Sequence, residues 1–219
     1  MAIIISISHG KGGVSKTTTS VNLTGSLREL GYDAVLWDYD KDKPDALKWA
    51  ARSNDISWVV KMGKDADLID YIDDLSNNHE IIVIDTSPNY AKHAYEAILA
   101  SDIVIIPTST SFLDQDNTKD ALGVPKLAKK PFKLLMSKVK KSTKEGKKIL
   151  AQVSGRDIAF STVITDRNVI AQCPESGKWI GEFAKNSDSH MQYLNLAKEV
   201  LVWIEDCNLS SKMNVAEEA

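Results

Sequence analysis

A chain of 219 residues, 43 % of them hydrophobic, is long enough to bury a substantial core, and alternating strands and helices at this length read as one α/β domain. Its two cysteines, Cys173 and Cys207, form no C-x-x-C, which argues against a disulfide framework or a zinc or iron–sulfur site, and no apolar run approaches the length that spans a bilayer. The formal net charge is only −3, yet ten lysines and one acid, Glu145, lie between Lys126 and Lys148; that segment carries +9 and the remainder −12, a separation that points to a polyanion partner. The expectation is a soluble, cytosolic protein.

The start, Met1 to Ser8, has no basic leader, and Ile3 to Ile7 reads as a short apolar strand. It delivers the glycine-rich stretch His9 to Thr18, and a helix is expected from Thr17 to Leu30, with Val21, Leu27 and Leu30 at helical spacing and Gly31 as its stop. Strand, glycine-rich loop and helix in that order make a phosphate-binding loop. Gly10, Gly12 and Gly13 let the backbone amides curl inward around an anion, and Val14, Ser15 and Thr18 complete the cradle at the positive end of the helix. Lys16 supplies a point charge for the β- and γ-phosphates of ATP, and Thr17 offers a hydroxyl to Mg²⁺. Ser15 stands where such loops carry a further glycine.

Ala34 to Trp37 reads as a strand that ends in Asp38-Tyr39-Asp40 and puts two carboxylates beside the phosphate site. Pro44 to Ser53 reads as a helix, Trp58 to Met62 as a strand, and Leu68, Ile69, Ile72 and Leu75 as the apolar face of a helix capped by Asp65. Ile81 to Asp85 is four apolar residues and an acid, the Walker B pattern, in which a buried strand carries a carboxylate toward Mg²⁺; Thr86-Ser87-Pro88 follows, and the segment after it reads as a switch that senses the γ-phosphate. Ile103 to Pro107, Phe132 to Ser137 and Ile158 to Ile164 supply further strands, and His190 to Asp206 a closing helix. The fold class is therefore α/β, a doubly wound, mostly parallel sheet with helices on both faces, occupying residues 1–208, with 209–219 a frayed tail. The four histidines, His9, His79, His93 and His190, show no metal-ligand spacing.

The second lysine inside the loop, Lys11, makes the stretch resemble the deviant Walker A motif K-G-G-x-x-K-T-T of the ParA/MinD class of ATPases, and the resemblance runs from Ile3 to about Asp206. It implies the P-loop NTPase fold, ATP and Mg²⁺ as cofactors, Asp40 as the residue that positions the attacking water, and Asp38 with Asp85 on the metal's side of the site. It also implies that Lys11 enters a partner's active site within an ATP-bound homodimer, and that Thr165 and Asp166 border the adenine, although proline is common at Thr165. Pro174 to Lys178 fits the class's C-terminal pattern.

The class divides by features this sequence lacks. No basic amphipathic helix for membranes closes the chain, no paired cysteines are present, and the loop begins at residue 9 with no helix-turn-helix segment before it. What the resemblance implies is a small partition ATPase whose ATP dimer binds nucleoid DNA without sequence preference and whose hydrolysis a ParB-type adaptor stimulates, with a plasmid, a chromosomal locus or a protein organelle as cargo. Charge concentration together with the resemblance assigns Lys138, Lys140, Lys141, Lys144, Arg167 and Lys185 to DNA; the bland alternative is a solvated lysine face. Two other functions share the loop: a metabolic P-loop ligase or kinase acting on a small molecule, and an interaction module whose Ser15-bearing loop no longer binds nucleotide.

Overall fold

The computed structural model describes residues 1–40, 42–61, 68–88, 92–109, 122–153, 155, 157–209 and 212. Six strands form one parallel sheet: β1 (Ile3–Ile7), β2 (Ala34–Asp38), β3 (Val59–Val60), β4 (Ile81–Asp85), β5 (Ile103–Thr108) and β6 (Phe132–Met136), in the order β3-β2-β4-β1-β5-β6. The helices are α1 (Lys16–Glu29), α2 (Asp45–Ala50), α3 (Leu68–Asn78), α4 (Lys92–Ala100), α5 (122–127), α6 (Lys144–Val153), α7 (Asn168–Ser176), α8 (Ile180–Phe183) and α9 (Asp188–Asp206). β1, β2 and β4 are buried along their whole length because both faces are covered, so they read as unbroken apolar runs. Alternate residues serve two cores. Ile3, Ile5, Leu36 and Val83 pack with Val21 and Leu27 of α1 and Leu196 and Val200 of α9, whereas Ile4, Val35, Trp37 and Ile84 pack with Leu75 of α3.

β1 lies between β4 and β5, so successive connections leave in opposite directions at its carboxyl end and open a crevice there. The helix that starts in that crevice departs from the amphipathic pattern expected of it. α1 is buried from Thr19 to Leu27, polar residues included. Its side chains solve this by bonding to the helix itself: Ser20 Oγ donates to the Lys16 carbonyl at 3.0 Å, Thr24 Oγ1 to Ser20 at 2.8 Å and Asn22 Nδ2 to Thr18 at 2.8 Å. Asn22 Oδ1 also accepts the Ile180 amide at 2.7 Å, which fastens α8 across it.

The strand expected at Ile158 to Ile164 is not formed as one. Its ends do bond to β6, with Leu134 N donating to Ile158 O, Phe160 N to Leu134 O and Ile164 N to Met136 O, but the middle turns away, leaving isolated bridges at Ala159 and Thr165. The cause lies on α9. Glu199 accepts the Ser161 and Thr162 amides at 3.0 and 2.9 Å, taking donors that a ladder would need. The strand expected at Trp58 to Met62 pairs only over Val59–Val60, and Met62 and the proposed cap Asp65 lie outside the described residues. Of the tail, Leu209 packs against the main core and Lys212 pairs with Asp102; the other residues after 209 lie outside the described set.

Candidate functional site

The sheet register assembles the carboxylates. Ile7 at the end of β1 aligns with Asp85 of β4, and Asp85 aligns with Asp38 of β2, so the loop leaving β1 has Asp85 on the neighbouring strand and Asp38 one strand beyond it. Asp38 is held on both oxygens: Oδ1 accepts the Asp40 amide at 3.2 Å and Oδ2 the Leu47 amide at 3.0 Å. Asp40 Oδ1 accepts the Lys43 amide at 3.0 Å. Asp85 Oδ1 lies 3.0 Å from Ser20 Oγ, whose one proton is shared between this carboxylate and the Lys16 carbonyl, and it also accepts from the Thr17 hydroxyl. Sequence reasoning did not single out Ser20, although its position four residues after Lys16 puts both on one face of α1, which is the signal that finds it.

The loop itself is wound around left-handed residues. Gly13 has φ +76°, and Ser15, at the position where glycine is usual, adopts φ 77°, ψ 30° all the same. Serine therefore takes the glycine conformation at a cost of about 1–2 kcal/mol, and the cradle keeps its shape. Val14 is buried under it, Gly10 is half-buried, and Gly12 is exposed. Lys16 is only 8 % exposed; its Nζ donates to the Lys11 carbonyl at 3.3 Å, with Asp85 and Asp40 near enough to hold its charge. Burial pulls the Lys16 ammonium below its ordinary pKa, and those two carboxylates oppose the pull. Lys11 is different. Its amide donates to His9 Nδ1 at 2.9 Å, but its side chain is exposed and has no partner among the described residues. His9 is kept neutral, its pKa pushed down to about 4 by burial and by the charges of Lys16 and Lys11.

Burial lifts the carboxyl of Asp85 to about 7, helped by Asp38 and opposed by the Thr17 and Ser20 hydroxyls and Lys16. It lifts Asp38 to about 6, against the pull of the Leu47 and Asp40 amides. Two aligned carboxyls short of compensating positive charge fit a divalent cation that is otherwise ligated by phosphate and water. No set of three or more histidine, cysteine, aspartate or glutamate side chains among the described residues forms a metal cage. Ser8 Oγ and Ser87 Oγ are buried just past the carboxyl ends of β1 and β4 with no hydrogen-bond partner among the described residues.

Beside the loop lies a cavity of about 150 Å³ lined by Ser15, Thr18, Lys138, Thr165, Asp166 and Arg167, among others. Thr165 and Asp166, expected near the adenine, are thus brought to the loop; Gln192 of α9 fixes Thr165 by accepting its amide at 2.9 Å. The lysines expected to form one patch divide. Lys140, Lys141 and Lys144 are exposed at the start of α6, where Lys140 pairs with Asp166 at 3.6 Å. That corner is tightly built: Thr143 Oγ1 accepts the Gly146 amide at 3.0 Å and donates to the Lys140 carbonyl at 2.9 Å, and a Cβ on Gly146 would sit 2.1 Å from that carbonyl. Lys138 instead reaches the loop, its Nζ 2.9 Å from the Gly13 carbonyl. Arg167 pairs with Asp188 at 3.6 Å, and Lys185 is exposed just before α9.

Comparison with known proteins agrees with this architecture. A family model described as an AAA domain matches residues 2–61. The sporulation initiation inhibitor protein Soj of Bacillus subtilis is 26 % identical over 249 residues, covering 91 % of this chain and 98 % of its own length. Among solved structures, the septum site-determining protein MinD of Pyrococcus horikoshii, complexed with Mg-ADP, superposes with a TM-score of 0.73 at 19 % identity over 94 % of this chain and 99 % of that one. A putative plasmid partition protein of Borrelia burgdorferi bound to AMPPNP superposes with a TM-score of 0.74 at 18 % identity, covering 93 % and 100 %. At these identities the superpositions establish the fold. Among the described residues no helix is long and apolar enough to cross a membrane.

Proposed function

We propose, from the premise that this chain is a P-loop ATPase of the ParA/MinD type, that it is a partition or positioning ATPase switched by ATP-dependent dimerisation. The observation that carries the reading is the contrast between the loop's two lysines. Lys16 is buried between Asp85 and Asp40 and serves the site in its own chain, whereas Lys11 is exposed at the same loop without a side-chain partner among the described residues. An ammonium left outward at the mouth of a phosphate site is available to the phosphates of a second copy.

ATP with Mg²⁺ presents a transferable phosphoryl group whose developing charge must be offset. Gly10 to Thr18 bind the phosphates through backbone amides, Lys16 adds a charge from below, and Thr17, Asp38 and Asp85 are the residues that would hold the metal and its waters. Asp40, fixed through Oδ1 by the Lys43 amide, orients water for attack. Lys11 from the partner completes the positive field, which makes hydrolysis conditional on assembly. Thr165 and Asp166 face the adenine side. The exposed lysines Lys140, Lys141 and Lys144, with Lys185, bind DNA through its phosphates, and a ParB-type adaptor triggers hydrolysis and release.

The test is the oligomeric state of Asp40→Ala by light scattering. With ATP and Mg²⁺ it should accumulate as a dimer, since binding is intact and hydrolysis blocked, while Lys11→Ala should bind ATP and hydrolyse it poorly. An Asp40 variant that stays monomeric at every concentration with ATP bound refutes the sandwich.

A further inference from the structure

Lys138 combines three features, of which Lys129 shares only the left-handed backbone. It follows β6, two strands away from β1 in the sheet, yet its Nζ donates to the carbonyl of Gly13 at 2.9 Å, across 125 residues of sequence. Its backbone is in the left-handed region, φ 55°, where a side chain other than glycine or asparagine is uncommon. Its neighbours impose that conformation: the Ser137 amide donates to Thr108 O at 2.7 Å and the Val139 amide to Ile164 O at 3.1 Å, pinning the chain on either side. Strain of this kind persists where surrounding structure fixes it, and it turns Lys138 back over the loop. The side chain also lines the 150 Å³ cavity together with Ser15, Thr18 and Thr165. It has no carboxylate partner among the described residues, unlike Lys140, which has Asp166.

We infer that Lys138 is a nucleotide-site positioning residue: its ammonium latches the phosphate loop at Gly13, and its aliphatic stem forms the wall of the adjoining cavity against which the base of a bound nucleotide packs. The inference rests on the nucleotide-site reading above and removes Lys138 from the DNA-binding set. The latch acts on the loop at Gly13, two residues before the left-handed Ser15, so a cation from the sheet edge steadies a turn whose usual glycine is missing. Methylenes against a base's face add apolar contact, and a lysine whose charge sits elsewhere covers such a surface readily.

Lys138→Asn tests this because asparagine accepts the left-handed backbone but supplies neither stem nor ammonium. Calorimetric titration with Mg-ADP should show affinity about tenfold weaker, in keeping with the loss of one charge-assisted hydrogen bond and its contact. The melting temperature without nucleotide should stay the same, the increment produced by Mg-ADP should shrink, and Lys138→Arg, which keeps stem and donor, should restore affinity to within about twofold. The salt dependence of DNA binding should be that of the wild type. Wild-type Mg-ADP affinity in Lys138→Asn, with binding lost in Lys16→Ala, overturns the inference while leaving the nucleotide site intact. A lowered melting temperature without nucleotide, or failed rescue by arginine, reduces Lys138 to a structural lysine and overturns it as well. Undiminished Mg-ADP binding by Lys16→Ala would instead refute the nucleotide site itself.

Discussion

Lys16 and the lysines at the start of α6 carry the same ammonium in opposite settings. Lys16 is 8 % exposed, hemmed in by Asp85, Asp40 and the Lys11 carbonyl, and its charge is held against the pull of burial. Lys140 has a side chain 67 % exposed and a single ion pair, and Lys141 and Lys144 stand in solvent. The first setting fixes a charge in place for one small, dense anion; the second leaves several charges free to follow an irregular one. Lysine content alone therefore does not assign a partner. What separates the two regions is how many neighbours constrain each side chain, and Lys138, whose Nζ bonds the Gly13 carbonyl, shows that sequence proximity to one region does not prevent contact with the other.

The contrast predicts different responses to salt, pH and backbone relief. The largest effect is expected at the exposed corner: Lys140→Ala, Lys141→Ala and Lys144→Ala combined should weaken binding to any duplex by on the order of a hundredfold at low salt and flatten the log-affinity against log-salt slope by about three, while Mg-ADP binding is unchanged. Fluorescence anisotropy at several salt concentrations checks it, and an unchanged slope would move the DNA contact elsewhere. The buried region should answer to pH instead. Mg²⁺ requires ionised carboxylates, and Asp85 titrates near 7, so Mg-ADP affinity measured by calorimetry should rise about fourfold from pH 6.5 to pH 8, a dependence that Asp85→Asn removes. Without nucleotide the sign reverses. A carboxyl raised from 3.8 to about 7 binds its proton more tightly when folded, so its contribution to stability declines as pH rises through that interval; His9, depressed to about 4, acts oppositely below 6.5, which makes pH 6.5–8 the interval to measure. The smallest effect is expected from Ser15→Gly, which should stabilise the chain by about 0.5 kcal/mol in chemical denaturation, the left-handed penalty removed being partly offset by glycine's greater freedom in the unfolded chain. A loss of stability there would mean that the Ser15 side chain earns its place.

What could be read from the sequence was whatever is local. β1, β2 and β4 were legible because two-sided burial leaves uninterrupted apolar runs, and the loop, Asp38 and Asp85 because a strand must bring them to its carboxyl end. α1 was legible as a helix but not as a buried one, since its hydroxyl and amide side chains hide their polarity in their own turns. The strand expected at Ile158 to Ile164 failed through Glu199, some forty residues on, which no local pattern reveals. Ser20 was missed as a site residue, and Lys138 was assigned to DNA with its bond to the loop unseen, for a related reason. One depends on helix phase relative to Lys16, the other on closure of the sheet between residues far apart in the chain.

The same Glu199 has a consequence for how copies of this protein can meet. An outermost strand offers a row of unpaired amides and carbonyls, and a neighbouring chain that docks there extends the sheet without limit. Along β6 that row is occupied by residues 158–166, whose own outward amides at Ser161, Thr162 and Thr165 are taken in turn by Glu199 and Gln192. At the opposite margin β3 is two residues long among the described residues, too short to template a partner. Among the described residues both margins thus offer little to open-ended stacking of one copy on another.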